Sequence, residues 1–411
     1  MKSSNFLIEH QCPQCGAPAI LNETDRLFTC EYCRVRSYLI PTDFFRYVLP
    51  NIAPKNKNLI FLPYWRFKGM LFSCLPGGIK SRFVDVSHRA VDSRYFPISV
   101  GLRSQALKLK FVSPETEGRF LYPGQSFENV IDISTNRFNQ SLPGPILYQS
   151  YIGETRSLIY SPFYVDDRLY DAVLNRPVAS ARGDDVDLER YPGGRPDWRI
   201  RFIPTLCPIC GWDLSGERDA LVLNCMNCDS VWQPSKYHFE RLNFAHIPGS
   251  GENIMYMPFW RIKAEISEIN LDSYADLVKV ANLPKAVQDG WENVHFYFWS
   301  LAFKIRPRTF FGLARNMTLS QPRNTLVTQL PKGRLYPVTM PITEAAESLK
   351  IILSGFIKPQ KLLLSRLPKI TIKPESFMLV YIPFNEKHHE FVHPELKLAI
   401  NKNQLALAGN L

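Results

Sequence analysis

Eight cysteines arranged as four CxxC pairs are the residues of this 411-residue chain best placed to do chemistry. The first two pairs are Cys12/Cys15, within CPQCG, and Cys30/Cys33, within CEYC. The second two are Cys207/Cys210, within CPICG, and Cys225/Cys228, within CMNC. In both groups 14 residues separate the pairs. Thiolates two residues apart fit one tight turn whose backbone N–H groups point at sulfur, and a second turn completes a tetrahedron around a soft divalent cation. Four thiolates with no open position describe a structural zinc site, with Zn–S distances of about 2.3 Å. The spacing therefore predicts two Zn2+ per chain, and a closed site of this kind cannot activate water without losing a ligand.

The elements that must position these ligands are legible around them. Pro13 and Pro208 stiffen the first turn of each group, and Gly16 and Gly211 permit positive φ just after it. Between the pairs, Ala19-Ile20-Leu21 and Leu27-Phe28 suit a short hairpin turning at Asn22 to Asp25; Ser215-Gly216-Glu217 and Leu221-Val222-Leu223 play those parts in the second group. So small an element buries too little core to fold alone, and ligation worth about 10–16 kcal/mol in zinc peptides would stabilise it. Each group resembles the zinc-ribbon class, which is found in transcription factors, ribosomal proteins, topoisomerases and replication-restart helicases; the resemblance covers roughly 30 residues per copy. The rubredoxin type of iron centre usually carries CPxCG in its second knuckle, whereas Arg34 and Asp229 follow the last ligands here. That departure favours zinc.

Composition narrows the setting. With 45% hydrophobic and 21% charged residues the chain is of globular type. Aromatics at 13% and 32 prolines lean toward β structure with many turns. The start, MKSSNFLIEHQC, lacks the apolar core of a signal peptide, and no uninterrupted apolar run of about 18 residues occurs, so no transmembrane segment is expected. Eight of nine cysteines in CxxC pairs without an export signal point to metal ligation in a reducing cytoplasm. The ninth, Cys74, reads as a buried structural thiol.

The ribbons open two tandem copies of a larger unit. FLPYWRFKG (Phe61 to Gly69) matches YMPFWRIKA (Tyr256 to Ala264) at the same 195-residue offset as the cysteines. SQALKLK from Ser104 is matched to SLAFKIR from Ser300, and IYSPFY (Ile159 to Tyr164) to VYIPFN (Val380 to Asn385) at an offset of 221. The expected class is mainly β (α+β) with a few short helices. The expected organisation is ribbon 1 over residues 1–40, a connector and β body over 41–175, and a Gly/Pro/charge-rich linker over 176–201. Ribbon 2 follows over 202–235, then a second connector and body over 236–411. The connectors near Thr42-Asp43 and Ser235 offer helix N-cap chemistry. In the Trp-Arg strand, alternation puts Tyr64, Arg66 and Lys68 on one face and Trp65 and Phe67 on the other. The repeated Trp65 and Trp260 are expected as core, and Arg66 and Arg261 as ion-paired supports.

Aligning LPG at Leu142 with LPK at Leu330 gives a smaller offset and so implies an insertion in the second unit at about 340–378. Leu349, Ile352, Leu353 and Phe356 recur there at helical spacing. Next, Lys358, Lys361, Arg366, Lys369 and Lys373 interleave with leucines to give a basic face that could dock a protein, nucleic acid or an acidic membrane surface. His388, His389 and His393 lack one-face spacing and read as a polar turn. The net charge of +11 is concentrated at the C-terminal end, where residues 296–411 hold 16 basic against 6 acidic residues. The ribbons are acidic: residues 5–40 hold three Lys/Arg against four Asp/Glu, and 202–235 hold one against four. Phosphate binding wants the opposite sign at the contacting module. No GxxxxGK[ST], HExxH or GxSxG is present, so no enzyme is expected. The expected function is a zinc-binding, non-enzymatic scaffold or adaptor that binds protein partners, with nucleic-acid binding by the basic C-terminal region as the alternative.

Overall fold

Ribbon 1 supplies β1 (Leu7–Gln11), β2 (Pro18–Asn22), β3 (Leu27–Thr29) and β4 (Arg36–Ile40). The first body continues through β5 (Phe45–Val48), β6 (Ile60–Leu75), β7 (Gly78–Arg89), α1 (Arg103–Ala106), β8 (Lys108–Phe111), β9 (Arg119–Leu121), α2 (Phe127–Asn139) and β10 (Tyr148–Val165). These assignments come from a computed structural model that describes residues 5–182, 187–251, 253–359 and 364–410. The class is the mainly β, α+β one expected from the sequence.

β6 is buried along its whole length. The reason is cover on both faces. Trp65 and Phe67 pack on Phe127 of α2, while Arg66 on the other face lies over Phe6 and pairs with Glu23, both in ribbon 1. On its edges β6 pairs antiparallel with β10 on one side, and with β7 and the short parallel β9 on the other.

The described residues of segment 176–201, expected as a linker, are built into the fold instead. After β11 (Arg168–Asp171), β12 (Arg176–Arg182) pairs with β11, and β13 (Gly193–Gly194) pairs with β9. Tyr191 and Trp198 are buried in the first core. Two aromatic anchors outweigh the Gly/Pro and charge content that suggested a tether.

The second half follows with β14 (Arg201–Pro204), β15 (Leu223–Cys225), β16 (Ser230–Ser235), β17 (His238–Leu242), β18 (Phe244–His246), β19 (Ile254–Ile266), α3 (Tyr274–Val280), β20 (Phe298–Leu301), α4 (Pro307–Ser320), β21 (Arg334–Leu335), α5 (Ile342–Glu347), α6 (Leu349–Phe356), β22 (Ile372–Glu386), β23 (Glu390–Val392) and β24 (Ala399–Asn401). It repeats the ladder of the first half. β5 pairs parallel with β10, and β18 parallel with β22. Ile60 pairs with Arg119 and Phe163, and its counterpart Met255 with Arg334 and Phe384. The indole N–H of Trp65 donates to Gln125 O and that of Trp260 to Met340 O, both at 2.9 Å. Ala90 O accepts from two successive N–H groups, of Gly124 and Gln125, as Ala302 O does from Thr339 and Met340.

This register corrects three expectations. SLAFKIR is not the counterpart of SQALKLK: Ser300 pairs with Trp260 in β20, whereas β8 joins β5 and β1, so the position matching Ser300 is His88 in β7. Gly118-Arg119 matches Gly333-Arg334, not LPG with LPK, so α5 and α6 stand where α2 stands and most of 340–378 is repeat rather than insertion. Twenty of the extra residues of the second half fall between β19 and β21, which bracket α3 and α4, and six more fall between β21 and β22. The connectors are strands β5 and β17, because alternating Phe45, Tyr47 and Phe239 pack into cores that a helix there would not reach.

The halves share one core. Met70, Phe72, Cys74 and Ile152 of the first half belong to the apolar cluster of the second. Phe72 meets Phe310 and Phe311 at ring distances of 6.2 and 6.4 Å, and fully buried Cys74 lies 3.7 Å from Ser354 Oγ. No helix among the described residues is long and apolar enough to cross a membrane.

Candidate metal centres

All four CxxC turns adopt one knuckle geometry. Cys12 N–H donates to Ala17 O and Gly16 N–H back to Cys12 O, at 2.8 and 2.9 Å. The same pair of bonds closes Cys30 with Val35 and Arg34, and Cys207 with Trp212 and Gly211. The fourth turn is closed by the pairing of Cys225 with Ser230. Each turn then needs a residue of positive φ. Gly16 and Gly211 supply it at 72° and 71°, and Arg34 and Asp229 adopt it at 61° and 49°. The non-glycine residues thus take the glycine conformation at some steric cost.

The knuckles bring the sulfurs together. Cys12–Cys33 and Cys15–Cys30 Sγ distances are both 3.7 Å, and Cys207–Cys228 and Cys210–Cys225 are 3.6 and 3.5 Å. A tetrahedron with Zn–S bonds of about 2.3 Å has edges of about 3.8 Å, so both donor sets fit Zn2+ in spacing and in chemistry. The local electrostatics agree. N–H groups of Cys33 and Tyr32 hold the Cys30 thiol down to about 6 against the burial that opposes them. An N–H from Val35 opposes the rise of Cys33, but burial and the three neighbouring sulfurs push it up to about 12. Four thiolates at these distances need a divalent cation to be stable together.

The two ribbons pack on each other. Leu27, Tyr38 and Ile40 of ribbon 1 form one apolar cluster with Leu214, Leu223, Trp232 and Phe239. β14 adds to β4, Tyr38 Oη donates to Ala220 O at 3.0 Å, and Arg218 pairs with buried Asp25 at 2.5 Å. Ribbon 1 also reaches into its own body. Glu23 accepts from Arg66, which donates through Nε and Nη2 to Asp85 at 3.1 Å each. Spacing alone did not reveal Glu23 and Asp85, because each is local to another element.

The tips of the knuckles differ between copies. At matching positions ribbon 1 has Gln14, Ala17 and Glu31, and ribbon 2 has Ile209, Trp212 and Met226, which are 56%, 60% and 59% exposed. Since cysteine side chains turn inward to the metal, the intervening residues must face out, and this apolar tip was readable from the sequence.

Of the basic face, Lys358, Arg366, Lys369 and Lys373 are exposed while Leu364, Leu367 and Ile370 between them are buried; Lys361 lies outside the described residues. His388 and His389 lie in the turn between β22 and β23, and buried His393 accepts from the N–H groups of Glu395 and Leu396 at 3.1 Å.

No protein-family model matches the chain, and no solved structure matches it. The chain is similar to DNA ligases of two Clostridium kluyveri strains, at 25% identity over 175 residues, which is 40% of this chain. It spans only about a quarter of the length of those relatives, 25%. The firm conclusion of sequence and structure together is a chain of two tetracysteine groups, each fit for zinc, seated in a repeated β-rich unit.

Proposed function

We propose that this is a non-enzymatic, intracellular scaffold in which two structural Zn2+ ions hold paired ribbons, and that the tip of ribbon 2 docks a protein partner. The observation that carries this reading is the exchange of Gln14, Ala17 and Glu31 for exposed Ile209, Trp212 and Met226 on one knuckle tip. Exposed Asp213 and Asp229 flank the tip, and the ZnCys4 centre adds a formal −2, so the fitting partner is a segment with apolar anchors and basic flanks. One face of ribbon 2 is committed to ribbon 1, whereas the tip is open to a partner.

The test converts the tip to the residues of the first copy, Ile209→Gln, Trp212→Ala and Met226→Glu, which the same knuckle geometry already tolerates. The full-length protein should retain a defined, nuclease-resistant protein partner that the triple variant loses while keeping two zinc ions. Equal retention by both proteins overturns the proposal. Nucleic-acid binding is a second reading. It is supported by the similarity to DNA ligases and by the exposed Lys358, Arg366, Lys369 and Lys373. It predicts retention that falls steeply with salt and is unaffected by the tip variant.

A further inference from the structure

Arg66 and Arg261 occupy matching positions in the two Trp-Arg strands, yet their surroundings differ in charge. Arg66 is clasped by Asp85 and Glu23. The β19–β20 register places Tyr297 at the position of Asp85, and the equal spacing of the cysteines places Arg218 at the position of Glu23. Both carboxylates are therefore gone from the second copy. Arg261 lies 3.6 Å over the ring of Tyr297 and 6.0 Å from that of Trp299 instead. Burial holds its guanidinium below the ordinary value, with only Tyr297 opposing the shift. The ion-paired support expected at Arg261 is thus found at Arg66 alone.

Arg261 opens onto a cavity of about 310 Å³ walled also by His295, Tyr297, Trp299, Gln321 and Arg323, with no Asp or Glu in its lining. Arg323 lies 4.2 Å from the Tyr274 ring and 5.5 Å from that of Trp291, and like Arg261 it forms no ion pair among the described residues. Trp299 is 2% exposed and its Nε1 has no hydrogen-bond partner among the described residues. Gln321 fixes the wall by bonding the backbone of Tyr297 and Thr318. A half-buried guanidinium without a counter-ion is costly, and an anion in the cavity relieves that cost.

We propose that this pocket binds a phosphomonoester, with its phosphate held by Arg261 and Arg323 and its organic part against Tyr297 and Trp299. Two guanidiniums match a dianion in charge and in their forked geometry. The cavity exceeds what bare phosphate fills, and its aromatic walls suit an attached ring or sugar.

Calorimetric titration of the full-length protein with phenyl phosphate, at fixed ionic strength, tests this. Phenyl phosphate should bind more tightly than inorganic phosphate, and Arg261→Gln and Arg323→Gln should each weaken it at least tenfold. Arg323 is exposed, so its variant keeps the fold and the test stands even if Arg261→Gln perturbs it. Competition separates the sources. Displacement by a 5′-phosphorylated DNA oligonucleotide but not by its 5′-hydroxyl twin assigns the phosphate to a nucleic-acid end. Displacement by neither assigns it to a small phosphorylated metabolite. Equal displacement by both oligonucleotides, or phenyl phosphate binding unchanged in both variants, overturns the proposal.

Discussion

At the residue scale, the two copies of one arginine show how context sets the worth of a side chain. Arg66 is 3% exposed and is the counter-ion of Glu23, itself 4% exposed. Arg66→Met should leave that buried carboxylate with only Lys68, at 4.0 Å, as counter-ion and strip Asp85 of its partner, destabilising the protein by up to about 3 kcal/mol. Arg261→Met abandons no carboxylate and should cost about 1 kcal/mol or less, chiefly its contact with the Tyr297 ring. Urea denaturation of the two variants side by side measures the contrast. The cysteines give a second prediction. Cys30→Ser should lower the metal content from two zinc ions per chain to one by elemental analysis, since Cys207 and its partners form a separate donor set.

At the element scale, the repeated tryptophan pins the loop that enters the helical cover of each half. Trp65 and Trp260 make the same 2.9 Å bond to carbonyls of equivalent residues. Tryptophan to phenylalanine at either position should cost about 1–3 kcal/mol from the stranded carbonyl, and similar values at both would confirm that the ladders are equivalent. The sequence showed the tryptophans as core and the helical stripe from Leu349 to Phe356 as helix α6. It matched the Trp-Arg and Pro-Phe strands rightly but not the segments between them, because LPG and LPK are short enough to match by chance. Hydrogen-bond register, not residue identity, decides that question.

At the scale of the whole molecule, the halves are joined through buried polar groups as well as apolar ones. Glu344 of α5 accepts from Gly153 and Glu154 N–H of the first half at 2.8 and 3.2 Å. Burial pushes its carboxyl up to about 7, the charges of Glu154 and Glu347 add to this, and the two N–H bonds oppose it. A raised acid keeps its proton longer in the folded state, so its stabilising share is complete below about 4.5 and is lost as pH rises toward 7. Stability should therefore fall by up to about 3 kcal/mol between pH 4.5 and 7 through this group. Glu344→Gln should flatten that slope in urea midpoints recorded across the range; an unchanged slope would remove Glu344 as its source.

The sequence by itself determined the two tetracysteine groups, the duplication and the mainly β class. Each of these rests on local spacing or composition: two residues between ligands, a common offset between matching segments, and an aromatic- and proline-rich chain. Only the tertiary structure decided that ribbon 1 packs on ribbon 2, that the described residues of 176–201 supply strands and two buried aromatics rather than a tether, and that among the described residues Arg66 is ion-paired while Arg261 is not. Those outcomes depend on contacts between residues far apart in the chain. Glu23 and Asp85 reach Arg66 from a ribbon and from a neighbouring strand, and no window of sequence containing Arg261 records that their counterparts became Arg218 and Tyr297.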